Sequence, residues 1–287
     1  MRRIVWLIVA GSLCSQDLPD FKIDRIAAKY LYTEGPAWSR ENFLIFSDLP
    51  ANHLVKWVPG EGNSVFEENS NGTNGNTYDA QGRLYSCESH ARRVVRRDKK
   101  GHTEVLADKW EGKKLNGPSD IAVRHDGEIY FTDPAFGKQL DSRELDFYGV
   151  FHISRKGVLE LVTKTDGRPH GIAISPNGRN LYVSNADQHQ VRTFDLDKSG
   201  NASNERVLIE KIGGVPGGIR VDEDGNLYVA EKHVSVFSPE GKMLREIPVP
   251  ESPSNLAFGD PDLQTLYVTA RTSVYRLRIN TKGALQY

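Results

Sequence analysis

Two side chains in this sequence stand out for the chemistry they could support: the carboxylate of Glu34, in TEGPAW, and the imidazole of His170, in RPHGIAIS. Each is followed by glycine and lies just ahead of a short apolar run. A carboxylate in this position could bind a hard cation such as calcium or magnesium. An imidazole could bind a metal, or act as a general base near neutral pH.

Further polar residues stand at matching places along the chain, in two groups. The first group precedes short apolar segments and contains, besides Glu34 and His170, Asn74, Ser119, Asp120, Gly217 and Asn255. The second group follows other apolar segments and contains Asp48, 88–90, Asp133, 185–187, 231–233 and Arg271. Side chains so far apart in sequence form one site only if the elements that carry them converge.

An internal repeat indicates how they converge. The phrases FLIFSD, RLYSCE, EIYFTD, NLYVSN, NLYVAE and TLYVTA recur at intervals of about 45 residues, a period typical of propellers and solenoids. A turn signal such as HDG or SPNG precedes most of them, and alternating strand-like segments lie on both sides. Each repeat therefore reads as an antiparallel sheet of four strands.

The last repeat ends after its third strand, whereas FKIDRIA (21–27) precedes the first repeat without a partner. If this orphan strand completes the last sheet, the ring closes and its edges are protected. The sequence predicts an all-β, six-bladed β-propeller with four-stranded blades, closed by an N-terminal strand, as one domain over 16–287. In such blades the start of the first strand and the end of the second lie at one rim, so both polar groups converge on the channel.

The N-terminus has the layout of a secretory signal peptide over 1–15, with two arginines before an apolar stretch too short to span a bilayer comfortably. Lipid attachment at Cys14 and a buried N-terminal strand are the alternatives. The prediction places the protein in the periplasm or outside the cell. After cleavage Cys87 is the one cysteine left, so no intramolecular disulfide forms.

The formal net charge of -1 creates no strong field for nucleic acid or an anionic membrane, so a small-molecule substrate is the expected partner. The oligomeric state stays open. The sequence contains no G-x-S-x-G elbow, H-E-x-x-H pair, Walker loop or paired C-x-x-C. A long excursion at 134–149 should lie over the rim, either as a lid or as a plain surface loop.

The phrases EGPAW, KLNGPSDIAV, GEIYFTDPAFG, SPNGRNLYVSNAD, GNLYVAE and TLYVTARTSVYRLR resemble those of the gluconolactonase, senescence-marker-protein and luciferin-regenerating enzyme family. This resemblance covers nearly the whole mature chain. It implies a six-bladed propeller that hydrolyses sugar lactones or other esters with one divalent cation in its channel. The usual ligands of that cation are a glutamate, two asparagines and an aspartate.

The sequence keeps only the glutamate, as Glu34. Ser119, His170 and Gly217 stand where the family has Asn, Asn and Asp, and the family's aspartate is thought both to bind metal and to move protons. The resemblance implies calcium, but an imidazole at position 170 would favour zinc or another transition metal. Three interpretations of His170 stay open. It is a metal ligand with Glu34, joined by His90 or Asp133 from the second group, or a general base without metal. The third is a non-catalytic remnant in a binding site or simply a satisfied polar residue.

These observations lead to three hypotheses. The first is a metal-dependent hydrolase of sugar lactones or related esters, in which Glu34 and His170 bind the cation and His170 or Asp133 moves the proton. The substrate would be oriented by Asn74, Asn116, Ser119, Asn185 and Arg271. The second is a non-catalytic propeller that binds a carbohydrate-derived ligand, and the third is a sugar-modifying lyase on the same scaffold.

Overall fold

A computed structural model describes residues 22–284 of the chain. The predicted signal peptide at 1–15 lies outside the described residues. Over 22–284, no helix is long and apolar enough to cross a membrane.

The strands are numbered in chain order, and six four-stranded antiparallel sheets contain all but two of them. Strand β1 (Ile23–Ala28) precedes the first blade. Blades 1 and 2 consist of β2 (Thr33–Ser39), β3 (Phe43–Asp48), β4 (His53–Val58) and β5 (Gly62–Glu68), then β6 (Thr73–Tyr78), β7 (Leu84–Glu88), β8 (Arg93–Arg97) and β9 (Thr103–Ala107). A small hairpin follows, made of β10 (Lys109–Trp110) and β11 (Lys113–Lys114).

Blades 3 and 4 consist of β12 (Ile121–Val123), β13 (Ile129–Asp133), β14 (Tyr148–Ile153) and β15 (Leu159–Thr165), then β16 (Pro169–Ile174), β17 (Asn180–Asn185), β18 (Gln190–Leu196) and β19 (Ala202–Ile209). Blades 5 and 6 consist of β20 (Ile219–Val221), β21 (Leu227–Ala230), β22 (Val234–Phe237) and β23 (Met243–Ile247), then β24 (Pro253–Gly259), β25 (Thr265–Ala270) and β26 (Ser273–Arg278). A 3-10 helix, Gly137–Gln139, lies between β13 and β14.

The ring closes as the sequence predicts. Strand β1 pairs antiparallel with β26, from Ile23 opposite Leu277 to Ala28 opposite Ser273, and becomes the outermost strand of blade 6. The prediction of a six-bladed propeller with four-stranded blades and an N-terminal closing strand is confirmed.

The apolar core lies between neighbouring blades. Strands β2 and β3 are buried along their whole length, whereas β9 is mostly exposed, because only the outermost strand of a blade faces solvent. At the junction of blades 1 and 6, Trp38 stacks on Tyr267 with ring centroids 5.2 Å apart. The blades bury their apolar side chains against one another and not at the central axis. The axis is therefore an open channel, and the first strand of each blade carries polar groups towards it.

Removing β1 should destabilise the ring. A chain beginning at residue 29 would leave β26 as an open sheet edge and would lose the buried Ala27 and the packing of Ile26 against blades 1 and 6. We expect thermal unfolding to occur roughly 5–10 °C lower than in a chain beginning at residue 20, which keeps the strand. Equal unfolding temperatures would contradict the closing role of β1.

Candidate active site

One end of the channel opens into a cavity of about 840 Å³. Its floor contains Glu34, Asn74, His170 and Gly217, each at or near the start of a different innermost strand. The structure therefore brings together the two residues from which the sequence argument begins, and Asn74 with them.

Glu34 is a buried carboxylate held from two sides. The side chain is 2% exposed, and the Gly35 amide donates a hydrogen bond to its Oε2 at 2.9 Å. The side-chain amide of Asn255 also stabilises the ionised carboxylate. Burial raises the pKa of Glu34, while nearby His170 and these hydrogen bonds act to lower it. Such a carboxylate is poised either to exchange a proton or to bind a cation that offsets its buried charge.

Glycine is required directly after this carboxylate. Gly35 has a φ of 48°, and a Cβ there would lie 1.9 Å from the carbonyl oxygen of Asn74 on the next blade. The sequence EG therefore reflects close approach of two innermost strands, which also brings Asn74 next to Glu34.

His170 faces Glu34 across the floor. Its Nε2 lies 4.0 Å from Oε1 of Glu34, too far for a direct hydrogen bond. Its Nδ1 is buried with no hydrogen-bond partner among residues 22–284. The ring of Phe136 contacts the imidazole edge-on, with centroids 5.4 Å apart. At this separation, one small species lying beside the pair, such as a water, could contact both Nε2 and Oε1.

A second buried carboxylate lies next to the floor. Asp120 accepts hydrogen bonds from the backbone of Ile121 and Ile172, and its Oδ2 is 3.3 Å from Nη1 of Arg220. The charge of Asp120 acts to raise the pKa of Glu34, so Arg220 limits the negative potential at the floor. The sequence pattern alone does not single out Arg220, although this residue alternates with buried Ile219 and Val221 in GIRVD.

The predicted proton carrier Asp133 is buried beside the channel and does not line the cavity. Its two oxygens accept the backbone N–H groups of Asn116 and Gly117, each at 2.8 Å. Burial raises the pKa of Asp133 to about 7, although these hydrogen bonds act to lower it. Asp133 thus holds the loop that leads into blade 3. The sequence pattern alone cannot tell this structural role from a catalytic one.

Only some of the predicted substrate-binding residues line the cavity. Asn74 lines the cavity, and its Nδ2 donates to Oγ of Ser119 at 3.3 Å. The amide groups of Asn116 and Asn185 instead donate to backbone carbonyls of neighbouring loops. Arg271 is exposed near Tyr32 and does not line the cavity. Sequence position finds the end of a strand correctly but not the direction of the side chain.

The excursion at 134–149 covers one side of the cavity, where 136–139 contribute to its wall. Nε2 of Gln139 donates to the carbonyl of Ser89 at 3.0 Å, and Arg168 packs over the ring of Phe136. Both contacts anchor the segment to the rim. It therefore forms part of the site wall, whether or not it moves.

Comparison with known proteins identifies the family. The sequence model of the SMP-30/Gluconolactonase/LRE-like region matches residues 32–272. The chain belongs to this family. It is 33% identical to a gluconolactonase from Zymomonas mobilis, over 91% of this chain and 82% of that protein. It is also 29% identical to the diisopropyl-fluorophosphatase of Loligo vulgaris, over 68% of this chain and 67% of that one.

The solved structure of a gluconolactonase from Xanthomonas campestris superposes with a TM-score of 0.84 at 31% identity, covering 91% of this chain and 90% of that chain. The agreement spans all six blades. The family resemblance implies a divalent cation in the channel, which would require ligands at the floor.

The floor offers few charged ligands to a cation. Within 22–284 no three His, Cys, Asp or Glu side chains cluster closely enough to hold one ion, so Glu34, His170, His90 and Asp133 do not form a common site. The buried Glu34 carboxylate is the charged ligand available, and the Asn74 amide is a neutral donor beside it. One carboxylate with neutral donors predicts weak binding, because affinity follows the charge of the ligands.

No side chain would fit at Gly217. A Cβ at this residue would lie 2.2 Å from the carbonyl oxygen of Ser254, so the backbones of blades 5 and 6 approach closely here. The structure therefore leaves no room at position 217 for the aspartate that the family resemblance implies there.

Introducing a carboxylate at position 217 should destabilise the protein and should not create a tighter cation site. We expect Gly217→Asp and Gly217→Ala to lower the free energy of unfolding by about 1–3 kcal/mol, because the added Cβ overlaps Ser254, without tighter cation binding. Gly213→Ala is the matched control, since a Cβ there would come no closer than 3.9 Å to another residue. Urea unfolding and calorimetric titration check this, and a stable Gly217→Asp with tightened calcium binding would refute it.

The pH dependence of stability tests the burial of Asp133. Because its pKa is about 7 in the folded protein against 3.8 ordinarily, the folded state keeps a proton that the unfolded chain releases. The stability that Asp133 confers is therefore full below about pH 4 and is lost as the pH rises through about 7.

In Asp133→Asn this dependence is absent. Measured by urea unfolding, the free energy of unfolding of the wild type minus that of Asp133→Asn should decrease from pH 4 to pH 7 and above. Asp141→Asn, on the exposed part of the 134–149 segment, corrects for removing one carboxylate. A difference that does not change with pH would show that Asp133 titrates normally.

Proposed function

We propose that this protein is a hydrolase that opens lactones at the floor of the channel, with Glu34 and His170 as the central pair. The observation that carries the proposal is the buried Glu34 carboxylate 4.0 Å from Nε2 of His170, beneath a cavity open to solvent. The relatives named gluconolactonase support a cyclic ester as substrate. On the signal peptide predicted for 1–15, the reaction takes place in the periplasm or outside the cell.

Glu34 and the amide of Asn74 would hold the divalent cation. When bound, such an ion polarises a carbonyl oxygen and lowers the pKa of a neighbouring water. Oxygen ligands of this kind favour calcium or magnesium. An imidazole ligand from His170 would favour zinc instead.

We assign the proton transfer to Nε2 of His170. Gly217 has no side chain and Asp133 is outside the cavity, so neither can accept a proton from water there. As water attacks the lactone carbonyl carbon, Nε2 takes one of its protons and the carboxylate of Glu34 stabilises the imidazolium. The same proton returns to the ring oxygen when its bond to the carbonyl carbon breaks, which yields the hydroxy acid.

The chain also controls water at the floor. Phe136 covers one edge of the imidazole, and Trp38, Arg220 and Phe258 line a second, smaller cavity of about 90 Å³.

Two variants test the assignment. Glu34→Gln should lose the bound cation and lower hydrolysis of glucono-1,5-lactone and δ-valerolactone at least about 100-fold. His170→Gln should lower hydrolysis by about 10²–10⁴ while it retains the cation, because the imidazole moves the proton. His102→Gln, on the exposed turn after β8, should match the wild type.

Hydrolysis is followed by acid release and the cation by elemental analysis. Loss of the cation in both variants would make His170 a ligand and favour zinc. Full activity in Glu34→Gln would overturn the mechanism. If neither lactone is turned over by the wild type, the binding-module hypothesis, which the tightly packed Gly217 favours, takes its place.

A further inference from the structure

The cavity is large and mostly apolar above its floor. Its volume of about 840 Å³ is near the upper end of the range of about 300–1,000 Å³ typical of small-molecule sites. A six-carbon sugar lactone would occupy only the lower part. The remaining volume could therefore accommodate a substituent that such a lactone lacks.

The apolar part of the wall is one continuous arc. Blades 5, 6 and 1, which are neighbours in the ring, contribute Val215 and Pro216, then Pro253, then Tyr32 and Leu49. Val215 is 61% exposed and Tyr32 is 42% exposed, which is costly in water for side chains that face no partner. Burial, followed by the charge of Glu34, raises the pKa of Tyr32 to about 12, so its ring stays neutral.

The polar groups that could bind sugar hydroxyls are largely used elsewhere. The amide groups of Asn116 and Asn185 donate to backbone carbonyls outside the cavity. On the apolar arc itself, the hydroxyls of Ser252 and Ser254 donate to the carbonyls of Glu231 and Thr33. A polyhydroxylated substrate would bury hydroxyl groups against this arc without partners, which is unfavourable.

The remaining polar side chains lie on the opposite side. His90 of blade 2 and Lys138 and Gln139 of the 134–149 segment line the cavity there. Gln139 already donates to Ser89. The wall is thus divided between a polar side over blades 2 and 3 and the apolar arc over blades 5, 6 and 1.

We propose that the site selects lactones that carry a hydrocarbon substituent, with the ring carbonyl at Glu34 and His170 and the substituent along Tyr32, Leu49 and Val215. This inference rests on the proposed function and goes further by naming the substrate class. Each methylene buried against the arc should raise kcat/KM about fourfold until the arc is covered.

The test compares δ-lactones that share one ring. We expect kcat/KM to rise from δ-valerolactone to its butyl-substituted homologue, δ-nonalactone, and to be at least tenfold lower for glucono-1,5-lactone than for δ-nonalactone. Val215→Ser should lower kcat/KM for δ-nonalactone more than for δ-valerolactone. Val158→Ser, at a valine that is 53% exposed and lies away from the cavity, should change neither.

Binding of δ-lactams, which are not hydrolysed, separates this inference from the proposed function. Calorimetry should give tighter binding for a butyl-substituted δ-lactam than for gluconolactam, and the preference should weaken in Val215→Ser. Faster turnover of glucono-1,5-lactone than of δ-nonalactone, or tighter binding of gluconolactam, would overturn the inference and leave the hydrolase intact. If no lactone is turned over but the butyl-substituted δ-lactam still binds more tightly than gluconolactam, the proposed hydrolase is overturned and the apolar specificity stands.

Discussion

The structure depends on the convergence of six innermost strands at one axis. Where these strands begin, the backbone of each blade approaches the next so closely that a Cβ would overlap it. At Gly35, Gly75 and Gly171 the overlapping atoms include a carbonyl oxygen of the following blade, and at Gly218 they belong to the side chain of Asn255. The residue just before each glycine therefore has a fixed position at the rim, and Glu34, Asn74 and His170 occupy these positions. The same packing that closes the ring also assembles the floor of the site.

This crowding determines the electrostatics of the floor. Glu34 and Asp120 are both nearly inaccessible to water, and each acid needs compensation within the protein. Asp120 finds it in Arg220 and in two backbone amides, whereas Glu34 receives only neutral hydrogen bonds and the neighbouring imidazole. Of two similar buried carboxylates, Asp120 is therefore compensated by a cation and Glu34 is not, which makes Glu34 the stronger candidate for a functional role. The close contact of Gly217 with Ser254 belongs to the same pattern, since it removes the space where a further acid would stand.

The sequence predicts the fold almost completely, because a repeat of about 45 residues with hairpin signals determines the sheets and an unmatched N-terminal segment determines the closure. It also predicts which residues start the innermost strands, and so finds Glu34, His170 and Asn74. It fails where the orientation of a side chain decides its role. Asp133, Asn116 and Asn185 lie near the predicted rim, but loop amides and carbonyls that no periodicity reveals draw their polar atoms away from the cavity. Arg220 shows the converse, since a charged residue inside an apolar strand is recognisable only once that strand is known to face the channel.

The pairing of β1 with β26 has a consequence for how the chain reaches this structure. Ile23 and Leu277 are partners in one sheet although nearly the whole sequence lies between them. Contacts of such separation are formed late, because the entropy of closing so long a loop must be overcome first. During synthesis, five blades are complete before the final strand emerges, and the first strand has no partner until then. Strand β1 therefore stays unpaired until the last blade is made, and its pairing with β26 is the step that closes the ring.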